Sequence, residues 1–157
     1  MDVLTNISIW TDGGARSNPG PAGIGAVVAL SDPSEPNTKG ETLFEVSEYI
    51  GQATNNQAEY RALVTALTKL FEYLQKNNID ASSVTLQLFT DSELMAYQVQ
   101  GKYKVKNIEL QPLHREIVDK LAAFASYSIT PVRREFNVRA DKLVNQAIDA
   151  AYAGSGH

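Results

Sequence analysis

The chain has 157 residues, of which 43% are hydrophobic and 20% charged, with a formal net charge of −4 and no cysteine. These values suit one globular domain with a single substantial core, and they exclude wholesale disorder, a disulfide framework and a thiolate metal site. The acidic balance argues against holding nucleic acid by bulk positive charge, yet it allows a local basic patch or an acidic site that needs cations.

The opening MDVLTNISIW has no basic stretch leading an apolar run, so neither a signal peptide nor a membrane span is expected, and the protein is expected to be soluble and cytoplasmic. NISIWTD alternates and predicts a first strand ending near Asp12. After a Gly/Pro turn, GIGAVVAL predicts a second strand, SDPSEPNTKGE a polar loop, and TLFEVSEYIG a third strand, together an antiparallel meander. Thr54 opens a helix with Gln57 as its capping-box partner, and Leu63, Ala66, Leu67, Leu70 and Leu74 follow at helical spacing. NNIDASS reads as a loop, VTLQLFTD as a fourth strand, and SELMAYQVQG as a short helix opened by a Ser N-cap. A basic loop KYKVKN leads to a helix in LQPLHREIVDKLAAF. YSITPVRRE reads as a strand interrupted by Pro131, and VRADKLVNQAIDAAY as a closing helix. The order predicts a mixed α/β sheet covered by helices, one domain over residues 1–152, and a flexible tail at 153–157. His114 and His157 carry no visible chemistry.

Read alone, the Asp12-Gly13 pair is an ordinary turn signal. Asp91, however, ends the fourth strand with the same aromatic-Thr-Asp sequence. If those strands are parallel neighbours, both carboxylates emerge where open α/β sheets place their sites. Glu59 lies on the apolar stripe of its helix, where a solvating glutamate does not belong, although a helix N-terminus also favours an acid. Asp141 shares its face with Val144, Ile148 and Ala151. Four gathered carboxylates repel one another unless cations neutralise them. All-oxygen ligands favour Mg²⁺ or Mn²⁺, and paired hard ions hydrolyse phosphodiesters by in-line attack.

TDGGARSNPGPAGIGAVV, TNNQAEYRALVTAL, FTDSELMAYQVQGKYKVKN and FNVRADKLVNQAID, in this order, resemble ribonuclease H of type 1 from about Ile7 to Ala150. The resemblance is to the compact archaeal and bacterial branch lacking an extended basic handle. It implies a ribonuclease H-like α/β fold: a five-stranded mixed sheet, order 3-2-1-4-5, with strands 1–3 antiparallel. It also implies hydrolysis of the RNA strand of RNA–DNA hybrids, leaving 5′-phosphate and 3′-hydroxyl ends. Asp12, Glu59, Asp91 and Asp141 become the catalytic, metal-binding acids for two Mg²⁺ ions, with Mn²⁺ able to substitute, and Asp12 bridges the pair. Gly13, Asn18, Asn55, Asn56, Gln57 and Ser92 match substrate-contacting positions, and the amides suit reading of 2′-hydroxyls and base edges in the minor groove. Thr54 and Asn107 match positions that hold a DNA-strand phosphate; for Thr54, capping and contact are both open.

Lys102, Lys104 and Lys106 around Tyr103 suit a phosphate track, with a solvated lysine loop as the alternative. Arg133, Arg134 and Arg139 are weaker candidates for phosphate contact. The expected partner is the hybrid duplex, with no membrane or protein partner, and the expected state is a monomer. Three departures stand out. ITPVRREFNV lacks the histidine that many relatives use in product release, leaving Arg134, Glu135 or Asn137; Ser17 replaces a frequent glycine; Val144 replaces a common alanine. The competing readings are a nuclease for structured DNA, a non-catalytic nucleic-acid-binding module and a nucleotide phosphate loop. The amides, the full set of acids and the strand after DGGARSNPGP argue against them in turn.

Overall fold

The computed structural model describes residues 5–32 and 35–153. β1 (Thr5–Ala15), β2 (Gly20–Asp32) and β3 (Glu35–Ala53) precede α1 (Asn55–Lys76), β4 (Val84–Thr90), α2 (Glu93–Val99), α3 (Gln111–Leu121), β5 (Ser126–Pro131) and α4 (Val138–Ala153). The five strands form one sheet in the order β3-β2-β1-β4-β5. β1 pairs antiparallel with β2 and β2 with β3, whereas β4 is parallel to both β1 and β5. Both the order and the strand directions are the expected ones. Among the described residues, no helix is long and apolar enough to cross a membrane.

Alternation along the strands gives the sheet two apolar faces. On one face Ile7, Ile9, Leu86 and Leu88 pack under the α1 stripe of Leu63, Leu67, Leu70 and Leu74. Each such leucine contributes roughly 1.5–3 kcal/mol by leaving water. On the other face Trp10 and Phe89 stack at 4.8 Å and pack against Ala140 and Leu143 of α4. α4 can lie this close because β2 presents glycines there. A Cβ on Gly25 would meet the Ala140 carbonyl oxygen at 2.3 Å, and one on Gly23 the Val144 carbonyl oxygen at 2.9 Å. Val144 itself is buried on this surface.

Three stretches differ from their predicted form. Gly13, Gly14 and Ala15 continue β1, pairing with Ile24, Gly23 and Ala22, so Asp12 lies inside the strand and the turn is confined to residues 16–19. A glycine pair signals a turn locally, but the ladder to β2 holds these residues extended. SDPSEPNTKGE is likewise mostly strand: β2 runs to Asp32 and β3 begins at Glu35, with bulges at Ala29–Asp32 absorbing the irregular register. Backbone pairing extends this hairpin without the alternation that marks a strand in sequence. Residues 33–34 and the tail from 154 onward, His157 included, lie outside the described residues. Pro131 ends β5 rather than interrupting it, and a 3₁₀ turn over Arg134–Phe136 follows. In the residue 16–19 turn, Ser17 takes φ +97°, which strains a residue bearing a Cβ.

Candidate active site

The parallel register Trp10↔Phe89 and Thr11↔Thr90 brings Asp12 and Asp91 side by side at the end of the sheet. Asp12 shares its face of β1 with Trp10, towards α4, which carries Asp141 in its first turn. Glu59 arrives from α1, whose first turn is fixed by a full capping box. The Gln57 N–H donates to Thr54 Oγ1 at 3.1 Å, and the Thr54 N–H donates to Gln57 Oε1 at 2.8 Å. Glu59 then accepts the Gly13 N–H on Oε1 at 3.0 Å and the Thr90 hydroxyl on Oε2 at 3.3 Å. These bonds tie it to both central strands. Gly13 makes the approach possible, because a Cβ there would lie 2.3 Å from the Ala58 carbonyl and 2.6 Å from the Glu59 nitrogen.

Carboxylate oxygens of Asp12, Glu59 and Asp91 all lie within 4.8 Å of one another. Asp141 lines the same cavity, of about 370 Å³, and its side chain is hydrogen-bonded to that of Asp12, although it does not reach all three acids of the triad at that distance. Burial, then the charge of Glu59, push the Asp12 carboxyl well above the usual carboxylate range, with Asp91 adding to the effect. Burial likewise raises Glu59, from 4.5 to about 7. Such a set is electrostatically unfavourable by itself and is satisfied by a hard divalent cation. The donors are all oxygen, mutually close and at the mouth of a polar cavity, so they fit Mg²⁺ or Mn²⁺.

These shifts predict a pH dependence of stability. Between pH 4.5 and about 7, the folded protein holds protons on Glu59 that the unfolded chain has released. Stability from this group is therefore greatest at the acid end of the window and falls as pH rises through it. Without divalent cation, the melting temperature of wild type relative to Glu59→Gln should fall between pH 5 and pH 7.5, and Mg²⁺ should restore more of it at pH 7.5. A difference that stays flat or rises over that range contradicts the assignment.

The cavity gathers Asp12, Gly13, Asn55, Glu59, Asp91, Ser92 and Asp141 from the predicted set. Asn18 is attached to it, since its Oδ1 accepts the Asn55 N–H at 2.9 Å, while Asn55 Oδ1 accepts the Ala15 N–H at 2.9 Å. Both amide oxygens are thus held by backbone, which leaves the NH₂ groups as donors. Ser92 caps α2 through the Met95 N–H at 3.2 Å, and its own N–H donates to Thr90 Oγ1 at 3.0 Å.

The remaining predicted residues lie off the cavity. Gln57 Nε2 donates to Glu109 Oε2 at 2.7 Å, and the Glu109 N–H donates to Asn107 Oδ1 at 2.8 Å. That chain joins the Thr54 cap to Asn107, but it engages Gln57 with the protein itself. Asn56 and Lys106 are exposed, and Lys104 borders a separate hollow beside α3 with Tyr103, His114 and Arg115. His114 is a packing residue, its Nε2 paired with the Gln98 carbonyl at 3.0 Å.

Of the three candidates in place of the missing histidine, only Arg134 faces the site, its Nε 3.6 Å from Asp91 Oδ2. Glu135 pairs with Arg133, and Asn137 is buried with its Nδ2 donating to the Thr11 carbonyl at 2.8 Å. Arg139 is held away by a two-pronged pair with Glu45 at 2.7 and 2.8 Å. Sequence reasoning passed over Arg16 and Asn145, both on the cavity wall. Arg16 follows the last residue of β1 inside a Gly/Pro turn, where no periodicity marks its direction.

Residues 10–147 match the family model described as reverse transcriptase-like. A bifunctional protein of Mycobacterium tuberculosis is 37% identical over 145 residues, covering 92% of this chain and 36% of that protein. The chain thus spans about a third of the length of that relative. Ribonuclease HI of Halobacterium salinarum is 35% identical, covering 92% of this chain and 65% of that one. The crystal structure of LC11-RNase H1 in complex with an RNA/DNA hybrid superposes with a TM-score of 0.80 at 44% identity, covering 93% of this chain and 99% of that chain.

Proposed function

The chain belongs to the type 1 ribonuclease H family, and on that premise we propose that it hydrolyses the RNA strand of RNA–DNA hybrids, leaving 5′-phosphate and 3′-hydroxyl ends. The observation that carries this reading is the convergence of Asp12, Glu59, Asp91 and Asp141 in one cavity, three of them within 4.8 Å. Its similarity to a ribonuclease H1 bound to a hybrid supports the substrate.

Two Mg²⁺ ions would be held by Asp12, Glu59, Asp91 and Asp141 and would supply Lewis-acid activation of water and stabilisation of the leaving 3′ oxygen. The rest is done by the chain. The Asn18 and Asn55 amides donate to minor-groove acceptors and 2′-hydroxyls, and Asn56 extends that row. The Gly13 backbone and Ser92 lie along the RNA strand at the acids. Thr54, which caps α1 and keeps its hydroxyl proton, works with the Asn107 amide on a DNA-strand phosphate; Gln57 holds the two together through Glu109. Lys104 and Lys106 extend that contact electrostatically. Arg134 faces Asp91 and replaces the missing histidine, drawing the newly formed 5′-phosphate off the acids. One chain supplies every acid, which supports a monomer.

The test is a panel of matched hybrid, DNA–DNA and RNA–RNA duplexes in Mg²⁺. Cleavage confined to the hybrid, with 3′-hydroxyl products extendable by a polymerase, is expected. Equal cleavage of all three duplexes would overturn the substrate assignment, and cleavage of the DNA duplex alone would point to the structured-DNA reading.

A further inference from the structure

Arg16 is one of two arginines on the wall of the cavity that holds the four acids, yet unlike Arg134 its ion-pair partner is none of them. Its Nη2 lies 2.7 Å from Asp149 Oδ1 and 3.4 Å from Asn145 Oδ1, both on α4. The pair is open to water, with side-chain exposures of 42% for Arg16 and 67% for Asp149. A bridge so exposed contributes only about 0–1 kcal/mol, too little to explain a guanidinium at this position as a fastener for α4. The helix is already fixed by the close approaches at Gly23 and Gly25 and by the Ser47 hydroxyl, which donates to the Leu143 carbonyl at 2.7 Å.

Placement separates Arg16 from the other cavity arginine. Arg134 stands beside Asp91 at the β4–β5 side of the acids, and Arg16 stands past the end of β1, at the β1–β2 side. A strand whose scissile phosphate lies over the acids presents a neighbouring phosphate to each side. We propose that Arg16 binds the RNA-strand phosphate flanking the scissile one on the β1–β2 side, and that Asp149 is its resting partner, displaced when the hybrid docks. A guanidinium fork matches a phosphate with two parallel charge-assisted hydrogen bonds, a stronger interaction than the exposed carboxylate pair it gives up. Asp149 therefore competes with substrate. The inference rests on the hybrid-nuclease reading.

The competition gives the two partners opposite signs. Arg16→Ala should raise KM for a hybrid about tenfold with kcat within about twofold of wild type. Asp149→Asn, which frees the guanidinium, should lower KM about two- to threefold. In an Asp12→Asn background that binds without turnover, anisotropy of a labelled hybrid across a salt series should show Arg16→Ala flattening the log-log slope by about one. Asp149→Asn should leave the slope at the parent value. If both variants instead lower kcat and the melting temperature together, with an unchanged salt slope, Arg16 is a clamp on α4 and the proposal falls. If wild type cleaves no hybrid, the underlying activity reading fails, and the anisotropy series still decides the phosphate contact because it needs no turnover.

Discussion

Asp12→Asn is expected to lower hybrid cleavage by about a thousandfold or more, some 4 kcal/mol of transition-state stabilisation, while making the protein more stable. Asp12 is buried, faces Glu59 and Asp91, and has its carboxyl pushed upward by burial and by those charges. An amide of the same shape removes the repulsion and keeps an oxygen able to accept the Gly13 N–H, which Asp12 Oδ1 accepts at 3.0 Å. In the absence of divalent cation the variant should gain on the order of 1–2 kcal/mol, or a few degrees in melting temperature for a chain of this size. Added Mg²⁺ should stabilise wild type more than the variant, closing the gap. Wild-type turnover in Asp12→Asn would remove it from the catalytic set, and a lower melting temperature would contradict the electrostatic account.

The second large effect comes from a residue without a side chain. In Gly13→Ala the new methyl would lie 2.3 Å from the Ala58 carbonyl, whose atoms are helix backbone and cannot rotate away. The first turn of α1 must lift from β1, which should cost about 1–3 kcal/mol or somewhat more. It should also break the Gly13–Glu59 hydrogen bond and carry Glu59 away from Asp12. Cleavage should fall at least about a hundredfold even well below the melting temperature, since a misplacement near 1 Å has that effect on a positioned group. The apparent Mg²⁺ requirement should rise with it. A folded Gly13→Ala protein with normal turnover and normal Mg²⁺ dependence would show that the close approach does not set the site.

Two of the acids were legible because they broke a local rule, and two because their strand sequences matched. Glu59 and Asp141 occupy core-facing positions on their helices, and Asp12 and Asp91 end equivalent stretches of parallel neighbours. The sheet order came from the ordered motifs, on which the proposed substrate contacts also rest. Local pattern misled where backbone pairing overrode it. Asp12-Gly13-Gly14-Ala15 looks like a turn and is strand, because Gly14 pairs with Gly23 and Ala15 with Ala22. The polar β2–β3 hairpin carries no alternation that would announce it. Long-range side-chain bonds were not legible either. Gln57 meets Glu109 from 52 residues away, and Arg16 meets Asp149 from 133.

The most direct measurement labels one hybrid on its RNA strand and, separately, on its DNA strand. Each is incubated with the protein in Mg²⁺, with excess EDTA, and with Mg²⁺ restored. The predicted result is cutting of the RNA strand alone, lost in EDTA and recovered with Mg²⁺. Cutting of the DNA strand, or RNA cleavage that persists in EDTA, would contradict an acid site built for divalent cations and a 2′-hydroxyl-bearing strand.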